Sequence, residues 1–223
     1  MATAGKVDRP QVDRVDRVDR VDRVDRVDKV EERRRELADA ALQTLSALGY
    51  ARTSLREIAQ NSAFSHGVLH YYFRDKVDLI TYCVRRYKAV CVQRYDQIVA
   101  TARTPEGLAQ GFADGLVATL VADAHMHRLW YDLRSQALFE DSFRADVLEI
   151  DSTLERMIWR IVSRYAELTG SPVLTGESMT YAMFDGLFQQ ALLRHLAGQE
   201  GAEVHLHASV RRLIDQVVPA TSR

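Results

Sequence analysis

No run of eighteen apolar residues occurs in this chain, so no membrane-spanning helix is expected. The N-terminal stretch is charged from Lys6 onward and has no apolar segment of the secretory kind. Cysteine is scarce: Cys83 and Cys91 are the only two. One helix holding both would set them about 12 Å apart, too far to bridge. That excludes a disulfide framework and leads us to expect a reduced, cytoplasmic protein. Only four prolines interrupt 223 residues. Alternation with period two is missing over any useful length, which excludes half-buried strands. What remains is 47% apolar residues at helical spacing, enough for a real core. The expected fold class is all-α.

The net charge of −1 hides an uneven distribution. Residues 1–30 carry 8 basic and 7 acidic groups (+1), and residues 31–103 carry 12 and 8 (+4). Residues 104–223 carry 10 and 16 (−6), which restores the total. A mildly basic segment on an acidic body points to nucleic-acid contact by the first part alone.

Residues 12–29 are six consecutive Val-Asp-Arg/Lys triplets, with another copy at Val7-Asp8-Arg9. Period three matches neither a strand nor a helical stripe, so no face stays apolar. An exposed, partly helical extension over 1–30 is expected. Its alternating charges cancel within a few Å, inside the Debye length of about 8 Å. Removing residues 1–29 is therefore expected to reduce any DNA affinity by no more than about tenfold.

From residue 31 the pattern turns helical. Leu37, Ala41, Leu45 and Leu48 share a face, and Gly49 fits a helix stop. Ser54 and Ser65 fit as caps of two short helices, and Asp75 opens a long one with Asp78 at its third position. That helix carries Ile80, Val84, Tyr87, Cys91, Tyr95 and Ile98 on one stripe and ends near Arg103. Thr104-Pro105-Glu106 reads as the start of the next. Further helices are expected over roughly 105–122, 125–138, 140–169, 175–198 and 203–217. The domain division is 1–30 extension, 31–80 helix-turn-helix, and 81–218 helical bundle.

The stretch Ser65-His66-Gly67-Val68-Leu69-His70-Tyr71-Tyr72-Phe73 carries the functional signal. On one helix, Leu69, Tyr72 and Phe73 share a face that packs on Leu55, Ile58 and Phe64. His66, Gly67, His70 and Tyr71 share the other, a ridge of small and hydrogen-bonding groups suited to a DNA groove. Lys76 sits in the first turn of the following helix, unfavourable for its dipole unless an anion such as phosphate is near.

These residues resemble the N-terminal domain of TetR-type transcriptional regulators. The matching pattern is Thr53-x-x-x-x-Ile58-Ala59, then Ser65-x-Gly67-x-Leu69-x-x-Tyr72-Phe73-x-x-Lys76-x-x-Leu79. The resemblance covers roughly residues 32–80. It implies a homodimeric repressor on a palindromic operator in double-stranded DNA, released by a small-molecule effector in the C-terminal domain. The DNA-contacting set it implies is Thr53, Ser65, His66, Gly67, Val68, His70, Tyr71 and Lys76. Ala63 stands where the family usually has glycine, which predicts a slightly strained turn.

In the C-terminal part, Gly107, Gly111 and Gly115 form a small-residue stripe, read as close helix packing or a groove wall. Trp130, Tyr131, Phe143, Met183 and Phe184 are mostly core candidates, of which some line a cavity, with Arg134 able to orient a polar ligand. The family resemblance, particularly to regulators of choline-like and hydrophobic compounds, implies a cationic or amphipathic effector. Met179, Met183, Gly186, Leu206, Leu213 and Val217 form seams suited to a four-helix dimer interface or to packing within one chain. His125-x-His127 and His205-x-His207 point apart on a helix, so no metal is expected there. No P-loop, nucleophile elbow, dinucleotide fingerprint or helical His-x-x-x-His is read, so neither an enzyme nor a cofactor is expected. A helical adaptor dimer without DNA binding is the competing reading.

Overall fold

Four side chains set the helix starts of the N-terminal half. Ser54, Ser65, Asp75 and Thr104 each accept the backbone N–H three residues on, from Glu57 (3.2 Å), Val68 (3.3 Å), Asp78 (2.9 Å) and Gly107 (3.1 Å). Each bond satisfies one of the donors a helix start leaves over. The computed structural model describes residues 28–219 apart from 43, 46, 47 and 50–52. All regular structure among the described residues is helical. The repeat therefore lies outside the described residues, save for its last positions, which are helical.

Helix α1 has helical backbone over 28–42 and at 44, 45 and 48. Gly49 ends it with φ +75° and returns its N–H to the Leu45 carbonyl at 2.9 Å. A left-handed φ at this point suits glycine. Helices α2 (Leu55–Gln60) and α3 (His66–Tyr72) form the helix-turn-helix, and α4 (Lys76–Thr101) leads out of it. Leu37, Leu45, Ile58, Leu69 and Leu79 close its core completely. Arg34 stacks on Phe73 and Tyr82, and Tyr82 donates its hydroxyl to Glu31 at 2.6 Å, which ties α1 to α4. Ala63 carries no strain: among the described residues only glycines have positive φ.

The C-terminal part is α5 (Pro105–Ala122), α6 (Ala124–Ala137), α7 (Arg144–Thr169), α8 (Glu177–Leu196) and α9 (Ala202–Val217), with a 3-10 turn at Asp141–Phe143. A Cβ on Gly111 or Gly115 would come within 3.2 Å of Ile98 or 3.0 Å of Tyr95, so these two glycines let α5 approach α4 closely. At Gly107 the near neighbour is instead the capping hydroxyl of Thr104.

The seam expected on α9 is a correction. Leu206, Leu213 and Val217 are buried within this one chain, where α9 packs on α5 and α8. A helical stripe shows that a face is covered without showing by what. The α8 positions behave differently: Met179 is 61% exposed, Gly186 is exposed and Met183 is half-buried.

Candidate DNA face and effector cavity

The two faces of α3 separate as the spacing requires. Leu69 and Phe73 are buried and Tyr72 packs half-buried against them. Ser65, His66, Gly67, His70 and Tyr71 are exposed, Tyr71 by 80%, while Val68 is half-buried. Nothing lies within 4 Å of a Cβ built on Gly67, so the backbone there is open to close approach. His66 and His70 stand one turn apart with their Nε2 atoms at 3.1 Å. They make a helical His-x-x-x-His, which corrects the reading that the chain has none.

Two members of the expected contact set are placed less simply. Thr53 is 2% exposed, and its hydroxyl donates to the Gly49 carbonyl at 2.6 Å, so the side chain holds the turn before α2 rather than facing outward. Lys76 is half-buried at the start of α4. Burial lowers its pKa, opposed by the carboxylates of Asp132 and Glu57. Asp132 on α6 and Glu57 on α2 thus act on this charge from within the chain without cancelling the effect of its burial.

Between α4, α5, α6, α7 and α8 lies a cavity of about 60 Å³. Of the expected lining, Trp130, Tyr131 and Phe184 are present. Phe143 and Met183 are not part of it, and Phe143 is buried where the 3-10 turn meets α7. Arg134 stands behind the wall, 2.7 Å from the lining carboxylate Asp185. The sequence reading missed Lys88, His127, Asp185 and Tyr181, which supply its polar chemistry.

Those groups form two networks. Lys88 Nζ lies 3.2 Å from His127 Nδ1, and His127 Nε2 lies 3.0 Å from the Tyr87 hydroxyl, which donates to Asp123 at 2.9 Å. The ammonium can only donate, so Nδ1 carries the lone pair and Nε2 the proton. Burial pushes Lys88 down to about 8. Burial, then the Lys88 charge, pushes His127 down to about 2, so the imidazole is neutral. In the second network Asp185 accepts from Tyr131 (2.9 Å) and Arg134 (2.7 Å), and Asp151 accepts from Tyr181 (2.6 Å). His127 turns inward while His125 borders a separate groove, as i,i+2 positions on α6 must.

Residues 37–83 match the model of the bacterial regulatory proteins, tetR family. The HTH-type transcriptional regulator BetI of Escherichia coli (strain UMN026) is 26% identical over 194 residues, which cover 84% of this chain and 94% of that protein. A TetR transcription regulator from Haloarcula marismortui superimposes with a TM-score of 0.70 at 17% identity, over 84% of this chain and 99% of its own. A transcriptional regulator from Saccharomonospora viridis in complex with choline gives 0.69 at 16% identity, over 84% and 98%. The transcriptional regulator FadR from Bacillus subtilis in complex with stearoyl-CoA gives 0.63 at 17%, over 80% and 95%. With the outward ridge of α3 and the all-helical body beneath it, these matches make the chain similar to transcriptional regulators of the TetR family, with the family's domain matched over residues 37–83.

Proposed function

We propose that the chain is a ligand-responsive repressor that acts in the cytoplasm as a homodimer on a palindromic operator. The observation that carries this reading is the reach of α4. It starts at Lys76, beside the exposed ridge of α3, and twelve residues further on presents Lys88 to the cavity. At 1.5 Å per residue that is about 18 Å of one stiff element. Helix α6 runs beside it, with Trp130 and Tyr131 on the cavity and Asp132 acting on Lys76. A molecule that spreads α4 from α6 would shift the ridge against its groove, and binding the two states unequally is what makes it an effector.

Dimerisation is supported by the outer face of α8 and α9. Met179, Leu193, Leu196 and Val204 are 61%, 70%, 47% and 72% exposed, around Gly186, where a Cβ would meet nothing. An apolar face with a small residue at its centre suits a second copy related by a two-fold axis. Two copies place two recognition helices on half-sites one helical turn apart. Among the described residues no helix is long and apolar enough to cross a membrane.

The test is selection of bound sequences from random duplexes with the full chain, followed by sedimentation of the complex. A two-fold-symmetric site occupied by two chains is expected. An asymmetric site bound by one chain would overturn the dimeric reading, and no enriched site would overturn repression itself.

A further inference from the structure

We propose that the effector is an organic acid: a carboxylate on an apolar body, seated on Lys88. This rests on the reading of the cavity as an effector site. Of the cationic or amphipathic effectors that the family resemblance suggested, it sets aside the cationic and keeps the amphipathic.

The argument is a count of donors and acceptors around the cavity. Lys88 is 7% exposed, and no carboxylate among the described residues lies within ion-pair distance of it. Its hydrogen-bond partner is the neutral ring of His127. An ammonium has three donors, so this one is neither neutralised nor saturated. Trp130 is 1% exposed and lines the same cavity, and its indole N–H has no acceptor. A buried donor left unpaired is unfavourable until something supplies a lone pair. The acceptors, by contrast, are taken. Asp185 holds Arg134 and Tyr131, Asp151 holds Tyr181, and Asp123 holds Tyr87. What the cavity lacks is an anionic acceptor for Lys88 and the Trp130 N–H, since its one lining carboxylate, Asp185, is held by Arg134 and Tyr131.

The aromatic walls support the same choice. A quaternary ammonium is held by open ring faces. Here Lys88 Nζ stands 5.7 Å from the Trp130 centroid, and the Arg134 guanidinium stands 5.5 Å from Trp130 and 5.9 Å from Tyr131. A cationic ligand would enter beside two cations on faces they already occupy. An acid meets Lys88 and the indole N–H at one end. Leu116, Leu154, Met157, Ile158 and Phe188 surround its body. The cavity's 60 Å³ is smaller than the roughly 150 Å³ that admits benzene elsewhere, so the body is compact or moves a lining side chain. Met157 is the most adaptable of these.

Protonation of Lys88 makes the proposal testable without a variant. The charged groups that face it are Arg134 from α6, Asp151 from α7 and Asp185 from α8, with neutral His127 from α6 and Tyr87 and Cys91 on its own helix. An acid binds the protonated form. Its affinity should hold below pH 8 and fall toward tenfold per pH unit above it, whereas an amine's should not.

The experiment titrates the full chain with benzoate and octanoate, and in parallel with benzylamine, octylamine and choline. Calorimetry and tryptophan fluorescence read binding, and gel retardation reads operator release. At least one acid is expected to bind and release operator, with affinity falling above pH 8. Lys88→Met should weaken it at least tenfold, and Lys88→Arg should retain most of it. Binding of the amines or choline without the acids overturns the acid assignment and leaves the effector cavity standing. Acid binding that is indifferent to both pH and Lys88→Met also overturns it. If neither series binds nor alters operator retention, the effector reading falls together with the acid.

Discussion

The Lys88 ammonium lies 3.2 Å from Nδ1 of His127, a base on α4 facing a base on α6, both nearly closed off from solvent. The pair is stable only while the imidazole stays neutral, since a second positive charge there would have no carboxylate at hand. The folded-state value of His127, near 2, lies far below the ordinary value of about 6.5. The unfolded chain therefore takes up a proton first as pH falls. The contribution is present above about 6.5 and is lost progressively below it. We expect the melting temperature to drop between pH 7 and pH 5, and the drop to be shallower in His127→Gln, whose amide oxygen can still accept from Lys88. Superimposable pH profiles for the two proteins would show that His127 is not the group responsible.

Lys88 itself opposes folding of the free protein. Its value near 8, against 10.5 ordinarily, means that the native state is the poorer proton binder. At neutral pH both states carry the proton, and the native state bears the burial penalty. Stability rises with pH between about 8 and 10.5 as the native state alone releases it. Lys88→Met is expected to stabilise the ligand-free chain by at most about 4 kcal/mol at pH 7, taking about 1.4 kcal/mol per pKa unit. The difference between the two proteins should narrow from pH 8 toward pH 10. Denaturant unfolding at a series of pH values measures it, and a destabilised Lys88→Met would contradict the picture of an unneutralised charge.

The two helices of the expected dimer seam make opposite predictions. Leu193 is 70% exposed and Gly186 has open space beside it, so Leu193→Glu with Gly186→Glu should leave helicity intact and yield monomers with much weaker operator binding. Leu213→Asp should instead unfold the chain, because Leu213 is buried under α5 and α8, and a buried unpaired carboxylate costs several kcal/mol. Sedimentation and circular dichroism separate the cases. A folded, monomeric Leu213→Asp would return the Leu213 face of α9 to the interface.

This contrast marks how far the sequence could be read. Helix starts were legible because a capping side chain acts on its own neighbour three residues away, as Ser54, Ser65, Asp75 and Thr104 do. The ridge of α3 was legible because seven residues define both its faces. The partner of the α9 stripe was not, since Leu206 and Leu213 look alike whether a second chain or α5 covers them. The cavity was half legible. Trp130, Tyr131 and Phe184 stood out as aromatics, but Lys88 is one cation among several on α4, and His127 pairs with it across 39 positions. Thr53 matched a contact motif while its hydroxyl was already held by Gly49.

The DNA face separates contact from support. Tyr71 is 80% exposed, so Tyr71→Ala should change stability by no more than about 0.5 kcal/mol while weakening operator binding. Thr53→Ala loses a buried hydrogen bond and should cost about 1 kcal/mol of stability, with any loss of DNA binding following from that. Lys76→Ala should weaken binding to all duplexes alike and reduce the salt slope by about one unit, the mark of one lost phosphate contact. Substitutions at His66 and Val68, on the leading turn of α3, should change which bases are preferred instead. Fluorescence anisotropy at several salt concentrations reads all four. If Tyr71→Ala bound the operator as tightly as the parent chain, and Lys76→Ala kept the parent's salt slope, the exposed ridge of α3 would not be the surface that meets DNA.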